Sequence, residues 1–212
     1  MALAYLKDPA AIYRQSFKTI RQEVDVAGLS SDEAAIAMRV THACGMTDII
    51  NDLMFGGDAA SATRAAVAND RIIFVDVHMV QAALLQPGVK PHEMQICCTL
   101  RDPETKVRAD KLSTTRSAAA VHAWIEHLAG AVVVIGNAPT ALFALLELLD
   151  QGAPKPAAVF AFPVGFVGAS ESKEELINNP RDLNFVTVRG RRGGSAMASA
   201  AFNAVWVGAQ DR

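Results

Sequence analysis

Residues 131–172 read AVVVIGNAPTALFALLELLDQGAPKPAAVFAFPVGFVGASES. An apolar run at 132–135 leads through a turn into an apolar helix at 140–149. A Pro-Lys-Pro connection then leads to a second apolar run at 157–162 and a second turn. Continuous Val, Ile and Ala runs joined by a helix mark a parallel sheet. A parallel pair needs a crossover, and crossover helices bury both faces of the sheet. Sheets of this kind bind ligands beyond the carboxyl ends of their strands. Those ends are Gly136-Asn137-Ala138-Pro139 and Pro163-Val164-Gly165-Phe166-Val167-Gly168.

Outward from this unit, further strands are expected at 72–75, 94–100 and 185–188. Helices are expected at 58–69, 117–128, 173–177 and 195–205. Five strands alternating with helices give a doubly wound, mainly parallel α/β fold. Ahead of them, 9–27 places Ile12, Phe17, Ile20 and Val24 on one helical face and stops at Gly28. Ser31-Asp32-Glu33 supplies an N-cap and an acidic first turn for a second helix, to about residue 40. This N-terminal helical segment is expected to pack on the sheet or cover its ligand end. No linker or repeat divides the chain, so 1–212 reads as one domain.

The net charge is −2 and three cysteines occur without regular spacing. The first excludes a general attraction to nucleic acid or to an anionic membrane. The second argues against a disulfide framework and for a reducing compartment. No signal-peptide pattern and no run of about 18 apolar residues is seen, so a cytoplasmic protein outside the membrane is expected.

The strand-end turns match neither the dinucleotide fingerprint nor a P-loop. The Asn137-Ala138-Pro139 turn still opens a helix whose backbone N–H groups suit an anion, and simple turn chemistry explains it equally. Arg189-Gly190-Arg191-Arg192-Gly193-Gly194-Ser195 follows the last strand and opens the last helix. Its arginines suit carboxylate or phosphate groups, and a solvated basic turn is the plainer reading. Thr114-Thr115-Arg116-Ser117 either caps the helix that follows or also clamps an acidic group. Cys97 and Cys98 lie in an apolar run and read as buried, inert thiols. Among His42, His78, His92, His122 and His127 no zinc spacing occurs, so no metal is expected. His42, in Arg39-Val40-Thr41-His42-Ala43-Cys44-Gly45 at a helix end, suits proton transfer near neutral pH, although a lone histidine is usually structural.

Several ordered stretches together resemble the precorrin-8X methylmutase family of corrin biosynthesis. They are AIYRQSF from Ala11, His42-Ala43-Cys44-Gly45, Cys98-Thr99-Leu100-Arg101-Asp102-Pro103, Thr115-Arg116-Ser117-Ala118-Ala119-Ala120, GNAPTAL from Gly136, GAPKP from Gly152, PVGFVGA from Pro163 and the GGSAMASAAFN segment. The resemblance implies a flavodoxin-like, three-layer α/β fold with a five-stranded sheet, and a homodimer. It implies a [1,5]-sigmatropic shift of a methyl group from C11 to C12 of precorrin-8X, giving hydrogenobyrinic acid without cofactor. His42 is then the proton donor and acceptor, while Ser16 and Arg39 contact substrate. A macrocycle ringed with carboxylates further suits Thr115, Arg116, Ser117, Arg189 and Arg191 at its rim, with Val164, Gly165, Phe166 and Val167 as an apolar floor. The likeness is closer to the metal-free branch of the pathway. The competing readings are a flavodoxin-like nucleotide or flavin protein, which rests on fold analogy alone, and a non-catalytic corrinoid carrier.

Overall fold

The computed structural model describes residues 3–84 and 94–207. Its sheet has six strands rather than five, in the order β1-β6-β5-β4-β2-β3. The parallel strands are β2 (Ile73–Val75), β3 (Ile96–Cys97), β4 (Val132–Ile135), β5 (Ala158–Ala161) and β6 (Phe185–Val188). The unexpected strand is β1 (Leu53–Gly56), which pairs antiparallel with β6 from Leu53↔Val188 to Gly56↔Phe185. It escaped the pattern search because it is short, sits on an edge and buries only Leu53 fully.

Side chains alternate across the sheet as the pleat requires. Ile73, Val75, Val132, Val134, Phe160 and Val186 face one core, and Phe74, Val133, Ile135, Val159, Ala161 and Phe185 face the other. The first core is covered by α3 (Ala59–Ala68), α4 (His78–Ala83) and α9 (Ser195–Val207), with α2 (Ser31–Cys44) packed against α9. The N-terminal segment therefore packs on this face, α2 contributing Ile36, Ala37 and Val40 to the core of the sheet. The second core is covered by α6 (Arg116–His122), α7 (Pro139–Asp150) and α8 (Ala169–Asn178). There Trp124 stacks on Phe74, ring centroids 5.2 Å apart, and donates to Thr99 Oγ1 at 3.0 Å.

Several expected boundaries move. The strand expected at 94–100 contracts to β3, and α5 (Pro103–Leu112) follows it, opened by proline and mostly exposed. The helix expected at 117–128 breaks after His122, and a short 3-10 turn, Ile125–His127, follows. α1 (Pro9–Glu23) ends before Val24, which is already extended, and Ile12 is 46% exposed instead of lying on its buried face. The cap of α2 is Ser30, in a capping box with Glu33, so the N-cap falls one residue earlier than expected. α8 starts at Ala169, four residues before the expected start. Cys97 and Cys98 are half-buried, and burial is the main cause pushing both thiols up, away from the reactive thiolate.

Gly136 shows how closely the elements meet at the carboxyl edge. A Cβ there would lie 2.6 Å from Val80 and 2.8 Å from the Ser195 Cα, so only glycine lets the start of α9 approach the end of β4. Gly136→Ala is therefore expected to cost about 1–3 kcal/mol, read from a urea unfolding curve.

Candidate active site

His42 lies near the end of α2, where α1 crosses it. Its Nδ1 is 2.8 Å from Ser16 Oγ, and its ring stacks on Phe17 at 5.0 Å and meets the Tyr13 edge at 5.7 Å. The Arg39 guanidinium stands 5.9 Å from the Tyr13 centroid and 5.8 Å from that of Phe17. Tyr13, Ser16 and Phe17 share a face of α1, and Arg39 and His42 are one helical turn apart on α2. Two helices thus gather five side chains into one cluster. Burial, and then the Arg39 charge, hold the His42 imidazole below its usual 6.5. The ring is therefore neutral near pH 7. Its folded-state pKa is depressed, so the stability linked to it is complete above 6.5 and is lost as pH falls through the folded value. An NMR titration is expected to place the midpoint below 6.5, and Arg39→Met to move it upward.

The chain continues from α2 through Gly45 and the 3-10 segment Thr47–Asp52 into β1, at the carboxyl end of β6. There Arg192 Nη1 lies 2.7 Å from Asp48, Nη2 binds Asp52, and the guanidinium is 3.9 Å from Met46 Sδ. Arg189 binds both oxygens of Glu174, at 2.9 and 2.8 Å. Two of the three arginines of this turn are thus committed to carboxylates of the protein. Arg191 is exposed, with its guanidinium 5.3 Å from the Phe166 centroid. Phe166 and Val167 are 84% and 87% exposed and Val164 is 41% exposed, while Gly165 is half-buried. They present an apolar surface beside Arg191.

Thr115, Arg116 and Ser117 form a separate group at the start of α6. Thr115 Oγ1 accepts from the Ala118 N–H at 3.2 Å and meets Thr140 Oγ1 of α7 at 2.8 Å. This bond holds exposed Arg116 beside the carboxyl end of β4. A groove of about 400 Å³ runs alongside, lined in part by Thr114, Ala118, His122, Thr140 and Phe143. His42 stands outside that groove, on an open surface.

One site residue was missed in the sequence. Asp76, at the end of β2, is 1% exposed and accepts from the N–H groups of Gly136, Asn137 and Ala138 at 2.9, 2.9 and 2.8 Å. Its carboxyl group fills the anion position that the GNAP turn was expected to offer a ligand. Burial pushes its pKa up, against the pull of the three hydrogen bonds. The position lies where the parallel strand order turns back, between β2 and β4, where α/β sheets usually take their ligand. Of the two strand-end turns behind the nucleotide or flavin analogy, this one is occupied by the chain itself. Asp76 directly follows the short β2, and nothing in the spacing tied it to a turn some sixty residues later.

Among the described residues, no group of three or more His, Cys, Asp or Glu could hold a metal ion, and no helix is long and apolar enough to cross a membrane. His92 lies outside the described residues.

Fold and site define an α/β protein whose carboxyl edge is built from arginines and capped helix starts, with the accessible His42 above it. Comparison with known proteins specifies it further. The profile of the precorrin-8X methylmutase family matches residues 11–207, and the chain belongs to that family of isomerases of cobalamin biosynthesis. It is 53% identical to the precorrin-8X methylmutase of Pseudomonas aeruginosa over 95% of this chain and 96% of that one. It is 34% identical to the cobalt-precorrin-8 methylmutase of Priestia megaterium, over 93% and 87% of the two chains. The crystal structure of the precorrin-8X methyl mutase from Thermus thermophilus superposes with a TM-score of 0.82 at 35% identity, covering 92% of this chain and 93% of that one.

Proposed function

We propose that this protein moves the C11 methyl group of precorrin-8X to C12, giving hydrogenobyrinic acid, with His42 as proton donor and acceptor. The observation that carries the proposal is the pairing of Ser16 and His42 at 2.8 Å beside Arg39, three residues from two helices. When the Ser16 hydroxyl donates to Nδ1, the imidazole proton resides on Nε2. That N–H faces away from Ser16 and can hydrogen-bond a ring nitrogen; proton transfer itself needs the imidazolium, with Nδ1–H then donating to Ser16 Oγ, and leaves a neutral imidazole that takes the proton back. A protonated macrocycle is electron-poor, which lowers the barrier to a [1,5]-methyl shift, and the proton returns once the new bond is formed. General acid catalysis of this kind contributes ~10²–10⁴-fold. The reaction is an isomerisation, so no redox partner or nucleotide enters the balance.

The ring side chains are carboxylates. Arg116 at the start of α6 and Arg191 beside Phe166 suit them, whereas Arg189 acts chiefly through Glu174. Thr115 holds the α6 terminus, Ser117 in the first turn of α6 stands ready for a polar ring substituent, and Val164, Gly165, Phe166 and Val167 give the apolar surface for the ring. The parallel strands run β3-β2-β4-β5-β6, the order of a flavodoxin-like sheet, which supports that description of the fold with β1 as an added edge. The family match spans both the helical segment and the sheet, which supports one domain over 1–212. The exposed Phe166 and Val167 and the open surface around His42 suit a homodimer, which sedimentation tests directly.

The metal-free substrate is favoured by the identities: 53% and 48% to the precorrin-8X methylmutases of Pseudomonas aeruginosa and a Sinorhizobium species, against 34% to the cobalt-precorrin-8 methylmutase of Priestia megaterium. Incubation with precorrin-8X is expected to yield the orange spectrum of hydrogenobyrinic acid. Binding without spectral conversion identifies a corrinoid carrier instead. Faster turnover of cobalt-precorrin-8 under the same conditions reverses the assignment of branch.

A further inference from the structure

Two turns on the rim form one hydrogen-bonded unit. The Gly165 N–H donates to the Arg191 carbonyl at 3.2 Å, and the Gly194 N–H donates to the Phe162 carbonyl at 2.8 Å. A Cβ on Gly193 would lie 2.4 Å from the Phe162 oxygen and 2.6 Å from that of Pro163, so the two backbones touch where only glycine fits. α8 follows the first turn directly and reaches the second. Lys173, 0% exposed, donates from Nζ to the Arg192 carbonyl at 2.5 Å. Next to it, Glu174 holds Arg189, while Asp48 and Asp52 hold Arg192. A fully buried ammonium is costly and is normally replaced by an apolar side chain where it has no task.

We propose that Lys173 is a positioning residue of the rim: its ammonium ties the turn at 189–194 to the turn at 163–168, so that Arg191 and Phe166 meet the ligand as one preformed surface. The inference rests on the reading of this rim as the corrin site. Lys173 touches no ligand itself. It acts by holding the backbone that carries Arg191, and preorganised contacts lose least on binding.

Burial lowers the Lys173 ammonium to about 8, and the charges of Glu174 and Asp52 oppose that shift. Arg189 and Arg192 also stand near, each paired to a carboxylate. From α7, which packs against α8, Asp150 is taken by Arg181 and Glu147 stands near His122. As pH rises through about 8 the tether changes from a charge-assisted hydrogen bond to a neutral one, roughly half as strong. Global stability responds in the opposite sense. In the unfolded chain the lysine titrates near 10.5, so between 10.5 and about 8 the unfolded state holds the extra proton. The linked stability is complete above 10.5 and is lost as pH falls through about 8. Ligand binding and fold stability thus follow opposite pH trends, which a merely structural lysine does not produce.

The test is the affinity of the full-length protein for hydrogenobyrinic acid, by absorbance titration from about pH 7 to about pH 9.5. Wild-type affinity is expected to fall with a midpoint near 8. Lys173→Met is expected to bind on the order of tenfold more weakly at neutral pH, with a flat profile, since a small displacement far from the ligand can cost up to ~10²-fold. Glu174→Gln removes a charge that holds the proton on Lys173, so the midpoint moves down; this variant serves where Lys173→Met does not fold. The same affinity and pH profile in wild type and Lys173→Met overturns the proposal, as does an unmoved midpoint in Glu174→Gln. A wild type that binds no corrin at any pH overturns the reading of the rim itself, and the proposal with it.

Discussion

His42→Ala is expected to lower the rate of methyl transfer by ~10²–10⁴-fold and to leave the affinity for hydrogenobyrinic acid nearly unchanged. The separation follows from the geometry. The imidazole is exposed and held on one side by Ser16 and by the rings of Tyr13 and Phe17, so little packing is lost with it. In the proposed site the carboxylates of the corrin fall to arginines elsewhere on the rim, Arg116 and Arg191. An interaction made only in the transition state lowers kcat and kcat/KM together and leaves ground-state binding alone. Single-turnover conversion of precorrin-8X measures the first quantity and titration with product the second. A fully active variant removes His42 from the mechanism. Ser16→Ala is expected to be milder, because it frees the tautomer and orientation of the ring while the proton-carrying group remains.

Asp76→Ala is expected to destabilise the fold by about 3–5 kcal/mol, since three backbone N–H groups lose their shared acceptor in a buried site. Asp76→Asn does not restore the site. Its single carbonyl oxygen cannot meet three donors, and its own amide N–H groups point at others. Urea unfolding measures both variants, and a loss below about 1 kcal/mol in Asp76→Ala removes the carboxylate from this role. The consequence reaches the rim. The turn leads into α7, and Thr140 of α7 binds the Thr115 that caps α6 and sets Arg116. A loosened β4–α7 turn therefore displaces a proposed substrate contact as well as weakening the core.

The five parallel strands were legible because each is a run of apolar residues bounded by turns, and the central ones are buried on both faces. β1 was not, because an edge strand that buries one side chain has little pattern to show. α5 was missed for a related reason: it is polar over most of its surface and buries only Thr105 and Ala109. The helix expected at 117–128 has the right apolar content, but its second half is consumed in placing Trp124 against Phe74 and Thr99, a contact between segments fifty residues apart.

The same division runs through the site. Local sequence determined the fold class, the carboxyl-edge turns at 136–139 and 163–168, the arginine turn after β6, and, through ordered motifs, the family; the same motifs point to Ser16, Arg39 and His42 as the proposed site residues. These are properties of short stretches, where patterning, turn chemistry and motif spacing act within a few residues. Only the tertiary structure decided which polar groups are already satisfied. Asp76 fills the anion position of the GNAP turn, Glu174 and Asp48 bind Arg189 and Arg192, and Lys173 is buried beneath the turn that carries Arg191. Each of these pairings brings a charged side chain to a partner on another element. A charge shows in the sequence whether or not it is paired; its partner is set by how the elements pack.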